Sequence, residues 1–266
     1  LIGQLPLVAR CAESERPSKL SSRHDGAMTN DRSSEGDTAT RETIAVIGPG
    51  AIGGTIAAWL ARPPSRHEVT VCARTPFDRL VVEAPGATID VQPHVLVHPE
   101  QASAVDWVIT VTKTYDTEGA ARWLERLVHP KTVVAIVQNG VEHMERFAGL
   151  VPRDRMLPVI IDIPAERSAP GRIRQRSNGN VTVPAGALGE RFVALFEGTM
   201  LKPSMTDDFT TVAWRKLALN SAGVVNALTL KPAGVVRHPK AAMLMREIAL
   251  ETIRVGRAAG AKLDDS

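Results

Sequence analysis

The alternation of apolar and polar segments predicts buried strands separated by helices, beginning at residue 43. Thr43–Ile47 is a continuous apolar and β-branched run, which is typical of a strand buried on both faces. Residues 51–61 then carry apolar side chains at helical spacing. A glycine-rich turn lies between the two, so the segment predicts a strand, a tight turn and a helix.

The same alternation continues to residue 140 and predicts a parallel, doubly wound sheet of the α/β class. Ligands bind beyond the carboxyl ends of the strands in such sheets, where Lys113 and Asn139 lie. From position alone, a surface lysine and an Asn-Gly turn are equally good interpretations. The predicted elements are strands at Glu68–Cys72, Asp106–Thr112 and Thr132–Val137, short strands within 87–97, and a helix over 118–128.

The character of the chain changes after residue 140. Two strand-like runs within 155–184, MLPVII and NVTVP, indicate either an antiparallel extension of the sheet or a connection between domains. From about residue 207 the pattern is helical, with a break at 231–239. The apolar stripe of this last region favours a core role over a cofactor site; its members are Met245, Ile248, Ala249 and Ile253.

These patterns divide the chain into an extension (1–41), an α/β domain (42–206) and an incomplete helical domain (207–266). The extension is predicted to be disordered, because residues 12–41 are rich in Ser, Thr, Asp, Glu and Arg and contain almost no large apolar residue. The chain opens on Leu1, and Met28 stands shortly before the first strand, so a natural start at Met28 is a further hypothesis.

Composition excludes several classes of protein. The chain has 266 residues, of which 44% are hydrophobic, enough for a sizeable core. Its two cysteines, Cys11 and Cys72, provide neither a disulfide framework nor a cysteine-rich zinc site, which favours a reducing cytoplasm and no bound metal. No apolar run approaches the ~20 residues of a membrane helix. A net charge of +3 with 4% aromatic residues gives nucleic-acid binding little support.

The turn after the first strand has the G-x-G-x-x-G spacing of dinucleotide-binding proteins, at Gly48, Gly50 and Gly53. The first glycine permits the tight turn, the second lets a pyrophosphate approach the backbone, and the third lets helix and strand pack closely. A triphosphate-binding loop is disfavoured, because Gly54 and Thr55 stand where that motif needs Lys and then Ser or Thr.

The end of the second strand predicts which dinucleotide binds. Enzymes that select NAD usually place an acidic residue here, whereas an arginine accommodates the 2′-phosphate of NADP. Cys72, Ala73 and Arg74 occupy this position without a carboxylate. The sequence therefore predicts NADP(H), the alternative being a solvated surface arginine.

Lys216 and Asn220 are four residues apart in a predicted helix and therefore share a face. A reductase needs such a pair: a lysine can stabilise and protonate the oxygen of a carbonyl that receives hydride, while an amide orients the substrate. Spacing alone favours the alternative, a solvated helix face.

With these residues in place, the chain resembles the ketopantoate reductase (2-dehydropantoate 2-reductase) family from about residue 42 to its end. The resemblance rests on GPGAIG, TVTKTYDT, VQNGVE and, most specifically, AWRKLALNSAGVVNALT. It implies a Rossmann-type domain followed by a helical domain, and NADPH-dependent reduction of a 2-oxo acid, ketopantoate to pantoate, in pantothenate synthesis. The implied cofactor-binding residues are Gly48, Gly50, Ala51, Ile52, Gly53, Arg74, Lys113 and Asn139; Lys216 is the implied general acid, and Asn220 binds substrate.

Two departures from the family pattern stand out. The family commonly has a second asparagine four residues after the first, but this chain has Val224 at that position. The next asparagine is Asn226, which is a substrate-binding candidate. Six helical residues turn by about 600°, so Asn226 should point about 120° away from Asn220. The family also continues beyond the point where this chain ends at Ser266, so we expect a truncated helical domain.

Two other functions compete with this interpretation, and two more are disfavoured. A different β-hydroxyacid dehydrogenase can be built on the same domains, and a non-catalytic NADP-binding remnant would share the glycine turn. A short-chain dehydrogenase is disfavoured, because the sole tyrosine, Tyr115, has Gly119 four residues on where that family has lysine. A zinc alcohol dehydrogenase lacks the necessary cysteines. The sequence leaves open whether the chain forms a homodimer.

Overall fold

The computed structural model of the protein describes residues 41–65 and 67–264. They belong to one compact unit, Ala39–Ser266. The predicted extension, apart from Arg41, and the suggested start at Met28 lie outside the described residues.

The elements follow the predicted order closely. In chain order they are β1 (Thr43–Ile47), α1 (Ala51–Ala61), β2 (Glu68–Cys72), β3 (Leu80–Ala84), β4 (Ala87–Val91), β5 (His94–Leu96), β6 (Trp107–Thr110), α2 (Thr117–Leu127), β7 (Val133–Ile136), α3 (His143–Arg146), β8 (Met156–Pro158), β9 (Ile160–Asp162), β10 (Ala165–Ala169), β11 (Arg172–Gln175), β12 (Asn180–Pro184), α4 (Ala187–Ala194), β13 (Ser204–Thr206), α5 (Phe209–Thr229) and α6 (Pro239–Ala258).

The main sheet has the order β5-β2-β1-β6-β7-β8, and every neighbouring pair is parallel. Numbered by their own sequence order these strands run 3-2-1-4-5-6, the Rossmann arrangement. The order reverses between β1 and β6, and the crevice beyond their carboxyl ends is where such sheets bind ligands. The predicted doubly wound parallel sheet is confirmed.

Strand β1 explains why the sheet is covered on both faces. Ile44 and Val46 belong to one buried cluster, with α1, whereas Ala45 and Ile47 belong to a second, with α2. Alternate side chains of a strand point to opposite faces, so a continuous apolar run satisfies two layers at once. The two helices therefore lie on opposite faces of the sheet.

The middle region, expected to be either an antiparallel extension of the sheet or a connection between domains, contributes strands to three sheets. Met156–Pro158 continues the main sheet in the parallel direction. Asn180–Pro184 pairs antiparallel with β9, in a separate sheet of order β13-β12-β9. Strands β10 and β11 join the hairpin β3–β4 in a third sheet, which packs on α1; β4 lies within the predicted range 87–97, whereas β3 was not predicted. Trp59 donates a 2.9 Å hydrogen bond to Gln175 across this contact.

Helices α5 and α6 form the predicted helical region, with the break at 231–239 as expected. They approach closely at Gly256, where an added Cβ would lie 3.1 Å from the Trp214 ring. The predicted core stripe, from Met245 to Ile253, is half-buried and not fully buried. Several large apolar side chains of the two helices are exposed, among them Leu219, Leu228 and Met243.

Across the described segments, no helix combines the length and apolar character needed to cross a bilayer. The same segments contain no cluster of three or more His, Cys, Asp or Glu side chains arranged to hold a metal ion. The domain boundary between residues 206 and 207 and the cytoplasmic location stay predictions.

Candidate functional site

The three glycines of the turn after β1 occupy three different environments. Gly48 has a φ of +87°, and a Cβ there would lie 3.2 Å from the Thr112 backbone nitrogen. A Cβ on Gly53 would clash with the Gly48 carbonyl oxygen, so α1 can only start this close to the strand if residue 53 is glycine. A Cβ on Gly50 would meet nothing within 4 Å. The open space beside Gly50 leaves the backbone accessible to a ligand.

The start of α1 presents unpaired amide groups to that open space. Gly54 makes the first intrahelical hydrogen bond, to the Gly50 carbonyl at 2.9 Å, so the amides of Ala51, Ile52 and Gly53 have no acceptor within the helix. Gly50, the N-cap residue, has no side chain to cap them. The helix dipole adds positive potential here, so this turn fits a phosphate group.

A crevice of about 570 Å³ opens beside the turn, at the reversal point of the main sheet. Arg74, exposed just beyond β2, lines it together with Lys113 beyond β6. Neither cation forms an ion pair within residues 41–65 and 67–264, so both are available to an anionic ligand. Cys72 also lines the crevice, and burial raises the pKa of its thiol to about 12.

A second cleft, of about 400 Å³, shares the glycine turn and Lys113 with the first and extends to α5. Asn139, beyond β7, lies on its wall together with Lys216 and Asn220. The sequence predicted these residues from segments about 80 positions apart, and the fold brings them to one space. A dinucleotide bound at the turn would therefore have its far end beside a lysine and two amides.

The two α5 side chains have direct partners across the cleft. The Lys216 ammonium lies 2.5 Å from a carboxylate oxygen of Asp162, and the lysine side chain is only 20% exposed. The Asn220 amide nitrogen lies 3.5 Å from the Asn139 side-chain oxygen, a long hydrogen bond. These contacts orient α5 toward the sheet and place both groups at the cleft.

The loop that carries Asn139 is held by buried and charged neighbours. His143, 1% exposed, lies 2.8 Å from the Gln138 carbonyl through its Nε2 atom, and Arg146 donates to the Asn139 carbonyl at 3.2 Å. Gln138 in turn donates to the Thr112 hydroxyl at 3.1 Å. Burial lowers the pKa of the His143 imidazole, because the charged form loses its hydration. The loop is thus tied to the strand end beside it.

Comparison with known proteins identifies the family of this chain. The family model described as ketopantoate reductase PanE/ApbA matches residues 44–188, more than half of the chain. The 2-dehydropantoate 2-reductase of Caulobacter vibrioides is 55% identical over 223 residues, which are 84% of this chain and 77% of that protein. The chain belongs to the ketopantoate reductase family.

Solved structures of the family have the same fold. A PanE/ApbA family ketopantoate reductase from Ralstonia eutropha superposes with a TM-score of 0.75 at 26% identity, over 84% of this chain and 76% of that one. A ketopantoate reductase from Staphylococcus aureus, described as dimeric, gives a TM-score of 0.72 at 21% identity, over 84% and 82%.

One predicted ketopantoate reductase site residue lies apart from the others. Helix α5 runs without a break from Phe209 to Thr229, so Asn226 has the rotation calculated for an unbulged helix. It does not occur in the described lining of either cavity, and its side-chain oxygen is buried without a hydrogen-bond partner in the described residues.

Three charged residues of the cavities were missed from the sequence: Asp162, Arg167 and Asp116, which lies just before α2 and lines the larger crevice. Asp162 ends β9 in the wall of the smaller cleft, and Arg167 reaches the larger crevice from the β10–β11 hairpin. A charged residue directly after an apolar strand was the available signal for Asp162. Arg167 lies in a generally basic stretch, where nothing local separates it from its neighbours.

Proposed function

We propose that this chain catalyses the NADPH-dependent reduction of 2-dehydropantoate to pantoate, with Lys216 as the proton donor. One observation carries the proposal: Lys216 and Asn220 line the same cleft as the phosphate-binding turn, Lys113 and Asn139. Family membership and the 55% identical Caulobacter 2-dehydropantoate 2-reductase support this substrate over other 2-oxo acids.

The residues present fit NADPH. The open space beside Gly50 and the free amides of α1 would receive the pyrophosphate, while Arg74 would meet the 2′-phosphate. Lys113 and Asn139 would contact the cofactor further along the crevice. NADPH supplies the hydride when bound. The chain supplies an anion-binding turn, an available arginine and a cleft lined by Lys216 and Asn220.

The chemistry of the chain's own residues is proton donation and orientation. Negative charge develops on the substrate oxygen as hydride reaches C2, and the Lys216 ammonium stabilises this charge and transfers its proton to the oxygen. The amide of Asn220 can donate a hydrogen bond to the substrate and limit its rotation. Asn226 has no part in this scheme, because it lies outside the described lining of the cleft.

The test is the rate of NADPH oxidation with 2-dehydropantoate, followed by absorbance, in the wild-type chain and in Lys216→Ala. We expect the variant to lose ~100-fold or more in kcat, because general-acid catalysis contributes about 10²–10⁴-fold. Its Kd for NADPH should change little. Arg215→Ala is the matched control, since Arg215 is the exposed neighbour on α5 and lies outside both cavities.

Two results would contradict the proposal. Retained turnover in Lys216→Ala would exclude the lysine as proton donor. Tight NADPH binding by the wild-type chain without reduction of 2-dehydropantoate would redirect the assignment to another hydroxyacid dehydrogenase or to a non-catalytic binding protein. A panel of 2-oxo acids and hydroxyacid semialdehydes separates those two, and sedimentation of the same samples establishes whether the chain forms a homodimer.

A further inference from the structure

The ion pair between Lys216 and Asp162 is the shortest polar contact across the smaller cleft. The two charged atoms are 2.5 Å apart, with the lysine side chain 20% exposed and the aspartate side chain 56% exposed. Both residues line the cleft that also contains Asn139 and Asn220. The partner of the proposed proton donor is therefore itself part of the substrate site.

The backbone of Asp162 is held in a paired strand. Asp162 is the last residue of β9 and is paired in register with Asn180 of β12. Gly179, just before Asn180, has a φ of +65°, and a Cβ there would clash with the Asp162 carbonyl oxygen. Lys216 comes from α5, so the ion pair joins a helix to the edge strand of the sheet β13-β12-β9.

A carboxylate is an unexpected group in a cleft that accepts a 2-oxo acid. Among the described residues that line this cleft, Asp162 is the only acidic one, whereas Lys113 and Lys216 are cationic. Asp162 repels an anionic substrate and neutralises one of the two cations that would attract it. Without Asp162, the Lys216 ammonium would pair best with the substrate carboxylate, the strongest acceptor present, and not with the carbonyl oxygen that must be protonated.

We propose that Asp162 is a positioning residue that holds the Lys216 ammonium for proton transfer to the substrate carbonyl oxygen and keeps it from pairing with the substrate carboxylate. The inference rests on the proposed function. In the step itself NADPH would give up a hydride, with loss of its own C–H bond and oxidation to NADP⁺; a C–H bond forms at C2, and the carbonyl π electrons move to oxygen. An O–H bond forms with the Lys216 proton, which leaves a neutral amine that solvent reprotonates. Asp162 takes up no proton.

The closing experiment compares Asp162→Asn, Asp162→Glu and wild type in steady-state kinetics. For Asp162→Asn we expect kcat to fall about 10- to 100-fold through misplacement of the lysine. We expect KM for 2-dehydropantoate to fall about 3- to 5-fold, since one like charge is removed. Asp162→Glu keeps the charge and should retain most of the activity. A simple structural defect would raise KM as kcat falls.

Two further measurements separate the effect of the Asp162 charge from that of a change in the shape of the cleft. The KM for a neutral 2-oxo amide should be unchanged by Asp162→Asn, because an uncharged substrate has no repulsion to lose. Asp90→Asn is the matched control. Asp90 of β4 forms an exposed ion pair with Arg79 at 2.6 Å, outside both cavities, and its loss should leave both constants unaffected.

The outcomes are distinct. Unchanged kcat in a folded Asp162→Asn, or a KM that rises together with loss of NADPH binding, overturns the inference. If the wild type reduces no 2-oxo acid, the proposed function fails by itself, and calorimetric binding of 2-dehydropantoate still tests the inference. Tighter binding of this anion by Asp162→Asn than by wild type supports it, and equal or weaker binding overturns it.

Discussion

Gly50→Ala separates ligand binding from folding at the phosphate-binding turn. Gly50 has extended backbone angles, φ −71° and ψ −159°, which alanine adopts without strain, and its Cβ would meet nothing within 4 Å. Alanine is a poorer N-cap than glycine but restricts the unfolded chain, and each effect is below about 1 kcal/mol with opposite sign. We therefore expect the free energy of unfolding to change by less than about 0.5 kcal/mol.

The same methyl group occupies the space through which a pyrophosphate would reach the amides of α1. Hydrogen bonds to a charged group contribute about 1.5–3 kcal/mol each, so the loss of one corresponds to a Kd for NADPH raised by about 10- to 100-fold. Calorimetric titration measures this change, and urea unfolding measures stability. Gly53→Ala is the companion variant, because its methyl clashes with the Gly48 carbonyl oxygen and should cost about 1–3 kcal/mol of stability. Unchanged NADPH affinity in a stable Gly50→Ala would refute binding of the pyrophosphate at this turn.

Three further predictions concern single side chains. Arg74→Asp should weaken NADPH binding by about 30- to 100-fold, through a lost charge-assisted hydrogen bond and added repulsion, and should leave NADH binding unchanged. The control is Arg126→Asp, on the exposed face of α2. An unaltered preference for NADPH over NADH would contradict the role of Arg74. His143 has a lowered pKa in the folded state, so the unfolded state binds more protons below about pH 6.5. The free energy of unfolding should then fall with decreasing pH, and His143 contributes at most about 1.4 kcal/mol per pH unit. Urea unfolding at several pH values measures this dependence. If the free energy of unfolding of His143→Gln depended on pH equally steeply, His143 would not be its cause. Cys72, with a pKa of about 12, should react with iodoacetamide at pH 8 far more slowly than a free thiol, because only about 10⁻⁴ of its side chain is in the thiolate form. Intact mass of a Cys11→Ser variant measures the reaction. Rapid modification of this variant would contradict the prediction.

The sequence predicted the parts of the fold that local patterns control. The double burial of β1 is visible in its continuous apolar run, and Gly48 and Gly53 are required by a turn that lies within a few residues of them. The third sheet was missed because β3 pairs with β11, about 90 positions away, and β11 (RIRQ) has no strong apolar pattern. Asp162 was missed for the same reason, since its role depends on a lysine 54 positions later in the chain.

The contacts that set the geometry of the candidate site contribute little to stability. Helix α5 meets the rest of the unit near the site through the His143–Phe209 ring contact, the Lys216–Asp162 pair and the long Asn220–Asn139 hydrogen bond. The last two are polar and partly exposed, and exposed ion pairs contribute at most about 1 kcal/mol. A displacement of 1 Å in a catalytic group nevertheless costs about 100-fold in rate. Variants at these contacts should therefore change turnover much more than the free energy of unfolding. At the glycine turn, by contrast, the Gly50 variant should change NADPH binding and the Gly53 variant should change stability.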